Sequence, residues 1–351
     1  MKKLIYNLVR FLLKVLLHLY FGKIKINGLE NIPKNKPVLL LSNHQNSFLD
    51  TILIGTACGR SPFFLTMAAV FKTKLLKTIF TFFRMIPVYR IRDGINSLKK
   101  NDKTFDKAVA LLAKNESIVI FPEANHNLKR RVRPLSKGFT RILFMTLEKF
   151  PDLDIHLVPV GVNYVNPAKF PDKAAIFYGK PIRVQEIYNP NDLIKSKDAM
   201  VSIVSERLKL LTTHIESEKD YNQIIEKLDA LGVNYLEPGA VNKSLLLLQN
   251  VTKIPTSKKV KNRFQKLLSI IFWLLNFPVL LLWQKVFKPK IKEIEFLSTM
   301  RFAFSVAIYP FYYLLLFIFG LFSSDVLTGL SIAGIIFFLN ILFTKLILKN
   351  R

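Results

Sequence analysis

Pro37-Val38-Leu39-Leu40-Leu41-Ser42-Asn43-His44-Gln45-Asn46-Ser47-Phe48-Leu49-Asp50-Thr51-Ile52-Leu53-Ile54 is the stretch on which the reading of this chain turns. Val38 to Leu41 form a short apolar run behind Pro37, the pattern of a strand buried on both faces of a parallel sheet. Polar side chains follow at once. In open α/β sheets the carboxyl ends of strands are where sites are built, so His44 arrives where chemistry is expected. On a regular helix, six positions at about 100° each would leave His44 and Asp50 roughly 120° apart. They can meet only if His44 sits in a loop and the helix opens near Ser47. Ser47-Phe48-Leu49-Asp50 fits a capping box with Asp50 at the third helical position. Two roles therefore stay open for Asp50. It is either a helix cap or the partner that fixes the imidazole tautomer while His44 takes a proton from an attacking hydroxyl.

Outward from this stretch, residues 24 to 190 alternate short apolar runs with longer helical patterns. Strands are expected at Pro37–Leu41, Ile86–Tyr89, Ser117–Phe121, Ile155–Val162 and Ala174–Tyr178, and helices at 47–58, 68–83, 94–114 and 136–149. Strands separated by helices imply βαβ units, hence an α/β fold with a mostly parallel central sheet flanked by helices.

The chain carries 52 Lys and Arg against 24 Asp and Glu, a formal charge of +28, yet half of its 351 residues are hydrophobic. Such a charge suits nucleic acid or an anionic membrane. Long apolar segments beside it favour lipid, and no nucleic-acid partner is expected. Residues 302–324 hold no charge over 23 positions and 326–344 none over 19, each enough to cross a bilayer. Their connection, Ser323-Ser324-Asp325, has no basic residue, while Arg301, Lys345, Lys349 and Arg351 lie at the two ends. The positive-inside rule makes this a hairpin with both ends cytoplasmic. Residues 267–283 are interrupted by Asn276 and Pro278 and flanked by basic residues on both sides, which fits an interfacial or re-entrant element. Residues 1–23 read as an amphipathic interface helix, with Asn7, Arg10, Lys14 and His18 on one face. No cleavage site of a signal peptide follows it. The expected organisation is thus 1–23, an α/β domain over 24–215, a helical extension with a basic linker over 216–266, and a membrane region over 267–351. Cys58, the single cysteine, excludes an internal disulfide and reads as packing.

Three clusters accompany His44, each after a candidate strand. Ile86-Pro87-Val88-Tyr89 delivers Arg90 and then Arg92. Ile118-Val119-Ile120-Phe121-Pro122 delivers Glu123, Ala124, Asn125 and His126, then Lys129, Arg130, Arg131, Arg133 and Lys137-Gly138. The third is Leu157-Val158-Pro159-Val160-Gly161. An arginine held at a strand end can grip a phosphate bidentately, and Glu123 could fix a glycerol hydroxyl or orient Arg90.

In this order the four blocks, Asn43-His44…Asp50, Ile-Pro-Val-Tyr-Arg90, Phe-Pro-Glu123 and Val-Pro159-Val, resemble those of the glycerolipid acyltransferase superfamily, over roughly residues 25–215. The resemblance implies that His44 is the general base and Asp50 its partner. It implies that Arg90 binds the acceptor's phosphate, Glu123 helps hold the acceptor and Pro159 shapes the acyl-donor side, with Asn43, Lys137 and Gly138 also on the substrate side. The donor would be an acyl thioester on coenzyme A or acyl carrier protein, with no metal and no further cofactor. The acceptor would be glycerol-3-phosphate or 1-acylglycerol-3-phosphate, and the enzyme would sit in the inner membrane with its catalytic domain on the cytoplasmic side.

Two departures bear on the acceptor. Five residues, Gln45 to Leu49, separate His44 and Asp50, where the commonest family pattern has four. Ala124, Asn125 and His126 stand where the third block commonly continues Gly-Thr-Arg. Loss of that glycine restricts the backbone, and Lys129, Arg131 or Lys137 could take over the missing arginine's phosphate contact. The same chemistry on a lysophospholipid or an amino-acid lipid is the near alternative. A catalytically silent, basic membrane tether is the alternative from another class.

Overall fold

The computed structural model describes residues 2–90, 99–248 and 263–349. Arg92, the first residues of the helix expected over 94–114, and most of the basic linker Lys253–Lys266 lie outside the described residues.

The apolar run after Pro37 becomes β2 (Val38–Ser42), in which every residue is buried. Successive side chains of a strand point to opposite faces. Val38 and Leu40 enter one apolar core with Leu49, Leu53 and Val158. Leu39 and Leu41 enter a second, on the other face, with Ile118, Phe139 and Leu157. β2 is therefore a central strand covered by helices on both sides.

The strands are β1 (Lys23–Asn27), β2, β3 (Phe63–Met67), β4 (Met85–Val88), β5 (Ser117–Ile120), β6 (His156–Tyr164), β7 (Lys173–Tyr178) and β8 (Ile182–Arg183). Their spatial order is β1-β7-β6-β2-β5-β3-β4, with β8 beside β6. Pairing is parallel from β6 through β2, β5 and β3 to β4, whereas β7 and β8 run antiparallel to β6. The mostly parallel sheet is as expected, and its five parallel strands present their carboxyl ends at one edge. Three strands escaped the sequence reading, among them the two-residue β8. β1 is a short edge segment of alternating Lys and Ile, and β3 was hidden inside an apolar stretch. The helix expected over 68–83 is correspondingly shorter. Residues 68–70 make one tight turn, and α3 (Lys74–Phe82) begins only where the Thr73 hydroxyl accepts the amide N–H of Leu76 at 3.2 Å.

Among the described residues, α1 (Lys2–Tyr20), α2 (Phe48–Ala57), α4 (Asn101–Leu112), α5 (Gly138–Lys149) and α6 (Leu193–Leu211) cover this sheet, and α3 lies against β4. Arg10 of α1 donates to the carbonyl of Gly55 at 2.7 Å, so part of the polar stripe faces the protein. Leu4, Leu8 and Phe11 point outward and are more than half exposed. Cys58 is buried, as expected of a packing residue. Beyond α6, α7 (Tyr221–Ala230) and α8 (Pro238–Leu248) close a small core of their own around Ile215, Leu228, Tyr235 and Val241.

In the C-terminal region, α9 (Arg263–Leu275) and α10 (Phe277–Leu282) meet at Asn276 with an 89° bend. α11 (Leu297–Ser323) and α12 (Val326–Lys349) form a hairpin, and both are long and apolar enough to cross a membrane. A side chain on Gly320 would come within 2.6 Å of the Gly329 backbone, so glycine there lets the two helices approach near the turn. Asn276 at the bend and Asn340 of α12 exchange two amide hydrogen bonds, which satisfies both polar groups away from water.

Candidate active site

His44 lies in the loop between β2 and α2, and α2 opens at Phe48 after Ser47, so the loop offset required for contact with Asp50 is present. His44 Nδ1 is 2.8 Å from Asp50 Oδ2. Asp50 is fully buried, yet its charge is well served. The same oxygen accepts the Asn46 amide at 2.8 Å, and the other accepts the Tyr164 hydroxyl at 2.6 Å. Burial, reinforced by Asp50, pushes the Tyr164 phenol well above its usual range, so it stays protonated and donates. The His44 ring stacks on Phe121 with centroids 4.0 Å apart and meets the edge of His126 at 5.7 Å. No described residue bonds to Nε2. An imidazole held at Nδ1 by a buried carboxylate and open at Nε2 is built to take a proton there.

The loop that carries His44 is fixed by backbone and amide contacts. Asn43 donates to the Val162 carbonyl at 3.0 Å and accepts the Val162 amide at 2.8 Å. Both ends of its side chain are thus engaged by β6, so Asn43 aligns the loop that carries His44. The carbonyl of His44 accepts the Asn127 amide at 3.0 Å, which closes the third cluster against the first.

The other expected residues divide. Arg90 follows β4 and donates to the Ala124 carbonyl at 3.2 Å and to the Met67 sulfur, so it reaches the third cluster. Glu123 does not orient Arg90. Its partner is Arg133, whose guanidinium binds it at 3.1 and 2.5 Å. Burial pushes the Glu123 carboxyl up, while Arg133 and nearby His44 pull it down. Ala124, in place of the family's glycine, has a positive φ of 62°, a left-handed conformation costly for a residue with a side chain. The Arg90 bond to Ala124 and the Arg133 bond to the Asn125 carbonyl hold this turn. His126 is only 15% exposed and turns inward between His44, Phe296 and Glu293, whose carboxylate is 3.1 Å from Nε2. Glu295 lies beside this pair, the ligand atoms of all three residues being within 4.8 Å of one another, but Glu293 is 63% exposed and the direct ion pair accounts for the geometry. Lys137 is engaged with Asp198 at 2.8 Å, and Lys129 and Arg131 with Glu218. Gly138 opens α5, and Pro159 is buried in β6 opposite Leu41 of β2.

An apolar cavity of about 250 Å³ lies between α1, α9, α11 and α12, lined among others by Tyr20, Phe170, Phe302, Val306, Tyr309 and Phe337. It starts one turn along α11 from Thr299, whose hydroxyl reaches the His44 loop. Tyr164 and Thr299 were both missed from sequence. The strand expected to end at Val162 in fact runs on to Tyr164, and nothing local to Thr299 links it to a loop some 250 residues away.

The acyltransferase family model matches residues 23–163, the span that contains His44, Asp50, Arg90, Glu123 and Pro159. Across that span the chain is similar to the glycerolipid acyltransferase superfamily. It is similar to glycerol-3-phosphate O-acyltransferase 1 of Saccharomyces cerevisiae, at 20% identity over 60% of this chain and 40% of that protein. It is similar to the chloroplastic 1-acyl-sn-glycerol-3-phosphate acyltransferase LPAT1 of Arabidopsis thaliana, at 31% over 34% and 32%. A solved 1-acyl-sn-glycerophosphate acyltransferase from Thermotoga maritima superposes on 59% of this chain and 81% of its own, at 18% identity and a TM-score of 0.43. The matches cover 40% and 32% of the lengths of these two curated relatives, so the chain shares with them only a part of their chains.

Proposed function

We propose that the chain is a membrane-anchored O-acyltransferase that moves a fatty acyl group from an acyl thioester to a hydroxyl of glycerol-3-phosphate or 1-acylglycerol-3-phosphate. The observation that carries this reading is the His44–Asp50 pair, with Nδ1 bonded and Nε2 open at the strand edge that also delivers Arg90 and Glu123. His44 Nε2 takes the proton of the acceptor hydroxyl as its oxygen attacks the thioester carbonyl carbon. The tetrahedral intermediate collapses, the carbon–sulfur bond breaks, and the thiolate leaves with the proton returned by the imidazolium. Asp50, held by Asn46 and Tyr164, stabilises the imidazolium between these steps. Arg90 is the cation for the acceptor's phosphate, and the Glu123–Arg133 pair shapes the turn beside it. No step requires a metal or cofactor. The cavity along α11 supports a long acyl chain as the apolar part of a substrate.

In this reading residues 1–23 and 267–351 attach the body over 24–215 to lipid, with 216–266 as a helical extension and basic linker. The uncharged spans and the basic residues at both outer ends support a hairpin whose ends, like the catalytic body, face the cytoplasm at the inner membrane. The test is thiol release from acyl-coenzyme A or acyl carrier protein by the purified full chain, with each phosphate acceptor offered separately and His44→Ala as control. Release that needs one phosphate acceptor and His44 supports reaction and acceptor together. Release that needs His44 but neither phosphate acceptor moves the acceptor to another lipid. Turnover by His44→Ala at the wild-type rate overturns the reading.

A further inference from the structure

We propose that Thr299, in the first turn of α11, is a positioning residue for the His44–Asp50 pair, so that the C-terminal membrane segment completes the active site as well as anchoring it. The inference rests on the acyltransferase reading of that pair. It starts from an incomplete helix cap. Ser47 holds the N-cap position of α2, but its side chain makes no capping hydrogen bond, and its φ of 45° is itself unusual for a residue with a side chain.

The work of the cap is divided between two other groups. Asp50 reaches back to the Asn46 amide at 2.8 Å, which leaves the same carboxylate oriented toward His44. Thr299 supplies the hydroxyl from outside the helix. Its Oγ1 accepts the Leu49 amide at 3.3 Å and donates to the Asn46 carbonyl at 3.2 Å. Leu49 N also reaches that carbonyl at 3.0 Å, so hydroxyl, amide and carbonyl form one closed set of bonds. Asn46 is the residue whose amide holds Asp50, and Leu49 is the residue before it. Thr299 is 7% exposed, so water does not readily replace it.

Neighbouring contacts keep the hydroxyl in register. The side chains of Asn46 and Ser298 both donate to the Pro167 carbonyl, and Arg301 donates to that of Ala168 at 3.1 Å. Just ahead of α11, Phe296 and Glu293 flank His126, which in turn meets the His44 ring. All these C-terminal residues lie outside the span matched by the family model, so they add to the site from a part of the chain that the four blocks do not contain.

Thr299 touches the loop and not the reacting atoms, so its loss should slow turnover and spare substrate binding. Displacement of a reacting group by about 1 Å costs up to about 10²-fold, and partial loosening of this loop is expected to lower kcat about tenfold. The experiment compares the full chain with Thr299→Val, Thr299→Ser and His44→Ala in thiol release, with kcat and acceptor KM separated and thermal melting followed alongside. Thr299→Val, nearly isosteric but without the hydroxyl, should show the kcat loss at unchanged KM, and Thr299→Ser should restore it. Should the valine variant fail to fold, Thr299→Ala, which adds no atoms, carries the same comparison against serine. Wild-type kcat without the hydroxyl, or a serine variant as slow as the valine one, overturns the proposal. Turnover by His44→Ala overturns instead the reading on which it rests.

Discussion

The two sides of the site are held in different ways. On the His44 side, Asp50 is fully buried and Asn43 nearly so, and their polar atoms meet backbone amides, a backbone carbonyl, the imidazole and a buried phenol. On the cationic side, Lys129, Arg131 and Lys137 bind carboxylates that are more than half exposed. Buried, hydrogen-bonded groups keep one geometry because every alternative leaves a polar atom unpaired. Exposed ion pairs are worth little and exchange readily for another anion. The first side keeps one arrangement of donors and acceptors, and the second leaves its cations able to exchange partners.

If this contrast is right, substitutions on the two sides should separate in kinetics. The largest effect belongs to His44→Ala, expected to lower kcat about 10²–10⁴-fold with the fold intact, as measured by thiol release and thermal melting. Arg90→Ala should act on the other parameter. Loss of a hydrogen bond to a charged group costs about 1.5–3 kcal/mol, so acceptor KM should rise about 10–150-fold with little change in kcat. An equal fall in kcat would erase the distinction between the two sides.

Tyr164→Phe tests how rigidly the buried side is built. One oxygen of Asp50 loses its donor, and equilibrium unfolding in detergent should show a loss of about 1.5–3 kcal/mol. Ala124→Gly relieves the positive φ at the seam between the two sides and should change stability by at most about 1 kcal/mol, in the stabilising direction. The smallest effect is expected at Lys137→Ala. Its pairing with Asp198 is exposed, so acceptor KM should shift by no more than about twofold. A large effect there would move Lys137 into direct contact with substrate.

Local pattern carried much of this site. The apolar run after Pro37 marked the central strand, and the six-residue step from His44 to Asp50 required a loop before the helix. Both features depend on a few adjacent residues, so they are visible without the fold. Glu123 shows the limit. Its place after β5 was legible, but its choice of Arg133 over Arg90 depends on how the chain returns after the left-handed turn at Ala124. The extent of β6 fell short for a related reason. Every residue from His156 to Tyr164 is buried, so hydrophobicity alone does not mark where the strand stops.

Residue pattern alone marks a two-faced apolar strand, a mostly parallel α/β order around it, two membrane-length helices and the four blocks that carry His44, Asp50, Arg90 and Glu123. Which groups hold Asp50 and its loop depends on the folded arrangement. Tyr164 and Thr299 reach them from 114 and 250 residues away along the chain. A hydroxyl has no periodic signature, and its partner is fixed only when distant segments are brought within hydrogen-bond distance and shut away from water.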